Sequence, residues 1–139
     1  MFIKNKTTKN LTKEQMAELL RSRVGKQCIY FENVTILHGL VKDYWEDQPG
    51  IALALEVLPL AGLEHPHQRL TLYSRWEDFS ITPNHFHAYQ PGWHLFFHPR
   101  LIEKVLKTAT DDADNPNSNE RFVNVMDAIL VSLEDLGDE

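Results

Sequence analysis

The chain has 139 residues, of which 42% are hydrophobic and 24% are charged, and its formal net charge is −6. Its six glycines and seven prolines follow no period, so this composition excludes a collagen-like chain and a wholly disordered one. A chain of this length buries roughly two-thirds of its unfolded surface and needs no disulfide or structural metal to fold. We therefore expect a single domain over residues 1–139.

The sequence predicts a cytoplasmic protein without a membrane segment. The longest apolar stretch, 51–63, is interrupted by Glu56 and Pro59, and it is shorter than the roughly 20 apolar residues of a membrane helix. The basic N-terminus lacks the apolar core of a secretory signal. The one cysteine, Cys28, lies in an apolar run, where we expect a buried, unreactive thiol.

Charge is distributed unevenly along the chain. Residues 1–26 hold seven basic and two acidic side chains, a net +5, whereas residues 111–139 hold one basic and nine acidic side chains, a net −8. Either the two ends attract each other within or between copies, or each is a solvated face. Nucleic acid is not expected as a partner, because the strand region has no basic side chains interleaved with its aromatic ones.

The chain begins with residues 1–10, which are polar and predict a flexible basic arm. A helix follows, because Thr12 and Gln15 form a capping box and apolar residues then recur at helical spacing as far as Gly25. Between residues 27 and 97, turn-forming residues separate short runs of β-branched and aromatic residues, which predicts antiparallel strands. The predicted strands are Gln27–Phe31, Thr35–Trp45, Ile51–Leu58, Arg69–Ser74, Asp78–Ile81, Phe86–Tyr89 and Trp93–Phe97.

Two helices are predicted after the strands. The first is a short helix, and Pro99 suits its first turn. Residues 108–119, TATDDADNPNSN, then predict a mobile acidic linker. Asn119 then caps a last helix with a full apolar stripe. That helix either covers its own sheet or crosses to a second copy, in which case the chain is a homodimer. The members of the stripe are Phe122, Val125, Met126, Ile129, Leu130 and Leu133.

Together these elements predict an α+β fold. We expect an N-terminal helix, an antiparallel β-sheet or small partly open β-barrel of five to seven strands, and two C-terminal helices. The segment Ile51–Leu58 is apolar at nearly every position, which indicates a central strand buried on both faces.

Six of the seven histidines fall between residues 65 and 98. On strands, His85 and His87 share one face, and so do His94 and His98. A four-residue loop from Tyr89 to Gly92 would place His87 opposite His94, where the Cβ atoms lie about 4.5–5.5 Å apart. His85, His87, His94 and His98 are therefore candidate ligands for zinc or another divalent transition metal. The alternative is a solvent-facing strand surface without a ligand.

The sequence leaves two functions open. It contains no Gly-rich phosphate loop, no nucleophile elbow and no His-Glu-x-x-His motif, so no catalytic residue and no cofactor are predicted. The leading interpretation is a non-enzymatic protein-interaction module with an acidic surface and a protein partner. The alternative is a metal-binding small β-barrel protein, or a metal-dependent enzyme, built on the histidines of one hairpin.

Overall fold

The computed structural model describes residues 11–47 and 49–136, so the predicted arm, 1–10, lies outside the described residues. The predicted α+β fold is confirmed, and each predicted strand is present with its ends shifted by at most one residue. A short 3₁₀ turn, Trp76–Asp78, precedes the fifth strand. The helices and strands are α1 (Lys13–Ser22), β1 (Gln27–Glu32), β2 (Thr35–Glu46), β3 (Gly50–Leu58), β4 (Arg69–Arg75), β5 (Phe79–Thr82), β6 (His85–Ala88), β7 (His94–Phe96), α2 (Pro99–Asp111) and α3 (Ser118–Leu136).

The seven strands form one open antiparallel sheet in the order β4-β3-β2-β1-β7-β6-β5. This order consists of two meanders, β1 to β4 and β5 to β7, which are joined where β1 pairs with β7. In that pairing Tyr30 lies opposite Leu95 and Phe31 lies opposite His94. Strand β3 lies second from the edge, between β2 and β4, and its first half is buried.

Both faces of the sheet are covered by apolar packing. On one face, which we call the inner face, Leu20 of α1 packs with Cys28 and Leu95. On the other, the outer face, Ile29 and Phe96 pack with α2 and α3. The last helix therefore covers its own sheet, which is one of the two arrangements that the sequence left open. The buried helix residues on the outer face are Leu101, Ile102, Val105, Ala109, Val125, Ala128 and Ile129.

The first helix begins as its sequence predicted. Thr12 Oγ1 accepts a hydrogen bond from the Gln15 N–H at 3.1 Å, and Gln15 Oε1 accepts one from the Thr12 N–H at 2.9 Å. Two backbone donors of the first turn are satisfied in this way. Within the described part of the chain, no helix has the length and apolar character needed to cross a membrane.

The connection between α2 and α3 is shorter than the predicted linker, 108–119. Residues 108–111 belong to α2, where Lys107 and Asp111 form an i,i+4 ion pair of 2.7 Å, and α3 begins at Ser118, so that residues 112–117 form the connection. The predicted cap, Asn119, is wrong, because Asn117 Oδ1 accepts the Glu120 N–H at 3.1 Å. The observed cap, Asn117, lies two residues before the predicted one. Both residues are asparagines and have the same capping chemistry, so residue type alone does not distinguish them.

The single thiol is buried as predicted. Cys28 is fully enclosed on the inner face, and burial raises the pKa of its thiol to about 12. The thiolate is the reactive form of cysteine, so Cys28 is a packing residue in this fold.

Two buried glycines give a matched test of the sheet. A Cβ at Gly50 would lie 2.1 Å from the backbone oxygen of Ser74 on the adjacent strand, whereas a Cβ at Gly39 would lie 3.4 Å from Cys28 Sγ. We predict that Gly50→Ala lowers the free energy of unfolding by about 1–3 kcal/mol or more, because the strands must move apart. Gly39→Ala should cost clearly less in the same urea titration. Equal losses for the two variants would contradict this strand pairing.

Candidate functional site

The hairpin of β6 and β7 has the register that its sequence predicted. The loop from Tyr89 to Gly92 joins the strands, His87 lies opposite His94, and the Ala88 N–H donates to the Trp93 carbonyl oxygen at 3.0 Å. Because side chains alternate along a strand, the histidines of this hairpin lie together on the outer face, while Trp93 and its apolar neighbours occupy the inner face.

Three imidazoles form a compact group, which we call the histidine cluster: His85, His87 and His94. His85 Nε2 and His94 Nδ1 are 2.9 Å apart and share a hydrogen bond. The ring of His87 stacks on the ring of His94, with 3.8 Å between the centroids and 12° between the planes. One imidazole must donate and the other must accept, so at least one ring of the pair is neutral.

The cluster lies in an apolar setting. His85 is 9% exposed and His94 is 7% exposed, and His87 is half-buried. Phe96 stacks on His85 at 4.6 Å, and Phe31 of β1 stacks on His94 at 6.0 Å. The alternative of a solvent-facing histidine surface is therefore wrong for His85 and His94, because β1 pairs with β7 and brings Phe31 against the hairpin.

Burial keeps these imidazoles neutral. It lowers the pKa of His85 and of His94 to about 3, and the neighbouring imidazoles add a smaller lowering effect through charge repulsion. Burial also lowers the pKa of His87. Desolvation disfavours the charged form of a buried base, so the cluster holds no proton charge at neutral pH.

His98, the fourth predicted ligand, has a different structural role. Its Nδ1 accepts a hydrogen bond from the Arg100 N–H at 3.2 Å, which makes it the N-cap of α2. This Nδ1 is therefore occupied by a backbone donor. The shared hydrogen bond and the ring stacking join the other three predicted histidines, His85, His87 and His94.

The cluster is not preformed as a metal centre. Among residues 11–47 and 49–136, no three His, Cys, Asp or Glu side chains are arranged to hold a metal ion. The lone pairs of an imidazole lie in the plane of its ring, so the near-parallel rings of His87 and His94 do not point at one position. A zinc ion requires nitrogens about 2.0–2.1 Å away, and the rings would have to rotate to supply them. Metal binding at His85, His87 and His94 stays a prediction.

A second surface feature lies on α3 and was missed by the sequence analysis. The side chains of Val123, Leu130 and Val131 are 44%, 44% and 45% exposed. Leu130 was predicted in the buried stripe, but the sheet and α2 cover only the side of α3 that bears Val125 and Ile129. The spacing of Val123 and Leu130, seven residues apart, was a signal for a second apolar face, because residues i and i+7 align on a helix.

Acidic side chains alternate with these apolar ones. Glu120, Asp127 and Glu134 are exposed and share the helical spacing of Val123 and Leu130. We call this surface the α3 stripe. Its residues are Glu120, Val123, Asp127, Leu130, Val131 and Glu134.

No protein-family model matches this chain, and neither the curated proteins nor the solved structures contain a significant match to it.

The histidine cluster predicts a specific loss of stability in acid. In the unfolded chain histidine has a pKa of about 6.5, whereas His85 and His94 have a pKa of about 3 in the folded state. The stabilisation is complete above pH 6.5 and is lost as the pH falls toward 3, because only the unfolded state takes up protons there. Each histidine contributes a slope of up to about 1.4 kcal/mol per pH unit.

Denaturant titrations between pH 6.5 and pH 5 test this expectation. The double variant His85→Gln/His94→Gln should show a shallower decline in the free energy of unfolding than the wild type. His67→Gln, at an exposed histidine, is the matched control and should keep the wild-type decline. If the double variant declines as steeply as the control, these two imidazoles do not cause the acid sensitivity.

Proposed function

We propose that the protein is a non-enzymatic interaction module that binds a basic partner protein through the α3 stripe. The observation that supports this most directly is the alternation of exposed apolar and acidic side chains on one face of α3. Interfaces commonly combine apolar anchors with a polar rim, and this face has both. We place the interaction in the cytoplasm, consistent with a single unpaired thiol in the chain.

The charge around the stripe favours a basic partner. Residues 111–136 hold seven acidic side chains and one basic one, Arg121, for a net charge of −6. Arg121 is directed at its own chain, where its Nε donates to the Gly62 carbonyl oxygen at 3.2 Å and its Nη1 donates to the carbonyl oxygen of Asn115. The acidic side chains of this segment outnumber its one basic side chain, so the surface attracts positively charged groups. Such complementarity accelerates association and makes it sensitive to salt.

The packing of α3 favours a rigid binding surface. Val125, Ala128 and Ile129 are buried against α2 and the sheet, so the helix is held in place before any partner arrives. A surface that is already ordered loses little conformational entropy on binding. The exposed side chains Val123, Leu130 and Val131 are then available as apolar contacts, and the flanking carboxylates would pair with Lys or Arg side chains of the partner.

Affinity capture from a host lysate tests the proposal with three variants of the immobilised chain. Leu130→Ser/Val131→Ser removes apolar contact, and Asp127→Lys/Glu134→Lys reverses charge. Val34→Ser, at a side chain that is 80% exposed on the β1–β2 turn, is the control. We expect a basic protein that is retained by the wild type and the control at low salt, is released at high salt, and is not retained by either stripe variant.

Two outcomes would contradict this proposal. One is capture of the same proteins by all four baits, because the stripe would then have no part in binding. The other is a homodimer in sedimentation experiments that Leu130→Ser/Val131→Ser converts to a monomer, because the stripe would then bind a second copy of this chain.

The second candidate function is metal binding at the histidine cluster. It is favoured by the close approach of His85, His87 and His94, whose rings lie within hydrogen-bonding or stacking distance of each other. Neutral imidazole is the form that binds zinc and other divalent transition metals. With depressed pKa values, these rings require no deprotonation at neutral pH.

Elemental analysis of untagged protein tests this candidate. If the cluster binds metal, we expect one ion per chain, loss of most of it in His87→Ala, and retention in the control His67→Ala. Added zinc should also raise the melting temperature of the wild type, because a ligand of the native state stabilises that state. Substoichiometric metal together with an unchanged melting temperature would exclude the cluster as a metal site.

A further inference from the structure

An open groove of about 850 Å³ lies between α2 and the segment that joins α1 to β1. Its size falls within the range of about 300–1,000 Å³ that is typical of small-molecule sites. Phe97, Ile102 and Leu106 supply apolar lining, and Arg23 and Lys26 supply positive charge from the opposite side. The groove is separate from the histidine cluster and does not include the α3 stripe.

The two walls of the groove are fixed by local structure. On one side Gly25 adopts a φ of +89°, a conformation that suits glycine, and its N–H donates to the Val41 carbonyl oxygen at 2.7 Å. The Val41 N–H in turn donates to the Lys26 carbonyl oxygen at 3.0 Å, so the α1–β1 connection is anchored to β2. On the other side Ile102 and Leu106 are one helical turn apart on α2, and both line the groove.

Arg23 is a cation whose contacts are uncharged. Its Nε and Nη2 donate to the Pro83 carbonyl oxygen, its Nη1 donates to Ser22 Oγ at 2.9 Å, and its guanidinium lies 5.6 Å from the ring centroid of Phe97. Within the part of the chain that the structure describes, no carboxylate forms an ion pair with Arg23. A guanidinium held only by neutral groups stays positively charged, and Arg23 therefore contributes a positive charge to the lining of the groove.

The charged side chains that line the groove leave it with a net positive charge, since three are basic and two are acidic. Lys107 and Asp111, which also line the groove, pair with each other at 2.7 Å and largely neutralise each other. Arg23 and Lys26 then face a single acidic lining residue, Glu103. The groove therefore has one positive wall and an apolar interior.

We propose that this groove binds a small amphipathic anion. Its carboxylate or similar head group would contact Arg23 and Lys26, and its hydrocarbon body would lie along Phe97, Ile102 and Leu106. Arginine has five N–H donors, and Arg23 uses three of them within its own chain, so two remain for a carboxylate. Removal of the hydrocarbon from water, against the apolar side chains, also favours binding. The proposal does not depend on the function assigned to α3.

Calorimetric titration of the whole chain with laurate, below its micelle concentration, tests the proposal. We expect one laurate per chain and a raised melting temperature. Dodecylammonium, which has the same hydrocarbon length and the opposite charge, should bind at least about tenfold more weakly, since a single favourable charge contact is enough for a difference of that order.

Three variants assign the binding to this groove. Lys26→Glu and Arg23→Gln should each weaken laurate binding by about tenfold, whereas Lys104→Glu, an exposed position on α2 outside the groove, should leave it unchanged. Lys26 is exposed, so its variant keeps the fold if Arg23→Gln does not. The proposal is overturned if laurate does not bind, if dodecylammonium binds equally well, or if Lys26→Glu binds laurate like Lys104→Glu.

Discussion

The antiparallel pairing of β1 with β7 is the interaction on which the rest of this structure depends. It joins two meanders in which each strand pairs with its neighbour in sequence, and it places Ile29 opposite Phe96 and Phe31 opposite His94. These partners are far apart in sequence, so the pairing costs more chain entropy than any hairpin in the fold. Apolar burial on both faces, centred on these two strands, offsets that cost. The same pairing brings the α1–β1 connection beside the start of α2, which creates the groove.

A sheet that is covered on both faces leaves little room for unpaired polar groups. His85 and His94 are polar side chains on a buried face, and they meet this condition by hydrogen bonding to each other. A buried polar group without a partner would cost about 1–3 kcal/mol. The pair is thus stable only while its imidazoles are neutral, which links the packing of the outer face to pH. The helix α3 uses one side for this same core and presents its other side, the α3 stripe, to solvent.

The sequence predicted those features that depend on neighbouring residues. The capping box at Thr12, the seven strands and the opposition of His87 and His94 follow from local sequence patterns and from the four-residue loop between Tyr89 and Gly92. It did not predict the burial of His85 and His94, because that depends on a distant strand. It also placed Leu130 in the core, since the apolar stripe of α3 is wider than the surface that α2 and the sheet cover. The ring orientations of the histidines could not be predicted either, because alternation along a strand fixes the face of a side chain and leaves the orientation of its ring open.

Backbone nuclear Overhauser effects between β1 and β7 test the account most directly. The structure predicts cross-strand contacts between the backbone protons of Tyr30 and Leu95, together with slowly exchanging amides on both strands, since β1 and β7 lie in the interior of the sheet. The two hairpins that flank this pairing, β1–β2 and β6–β7, provide internal references in the same spectrum. If the hairpins gave their contacts and the β1–β7 contacts were absent, the two meanders would not form one sheet, and both the buried histidine pair and the groove would lose their structural basis.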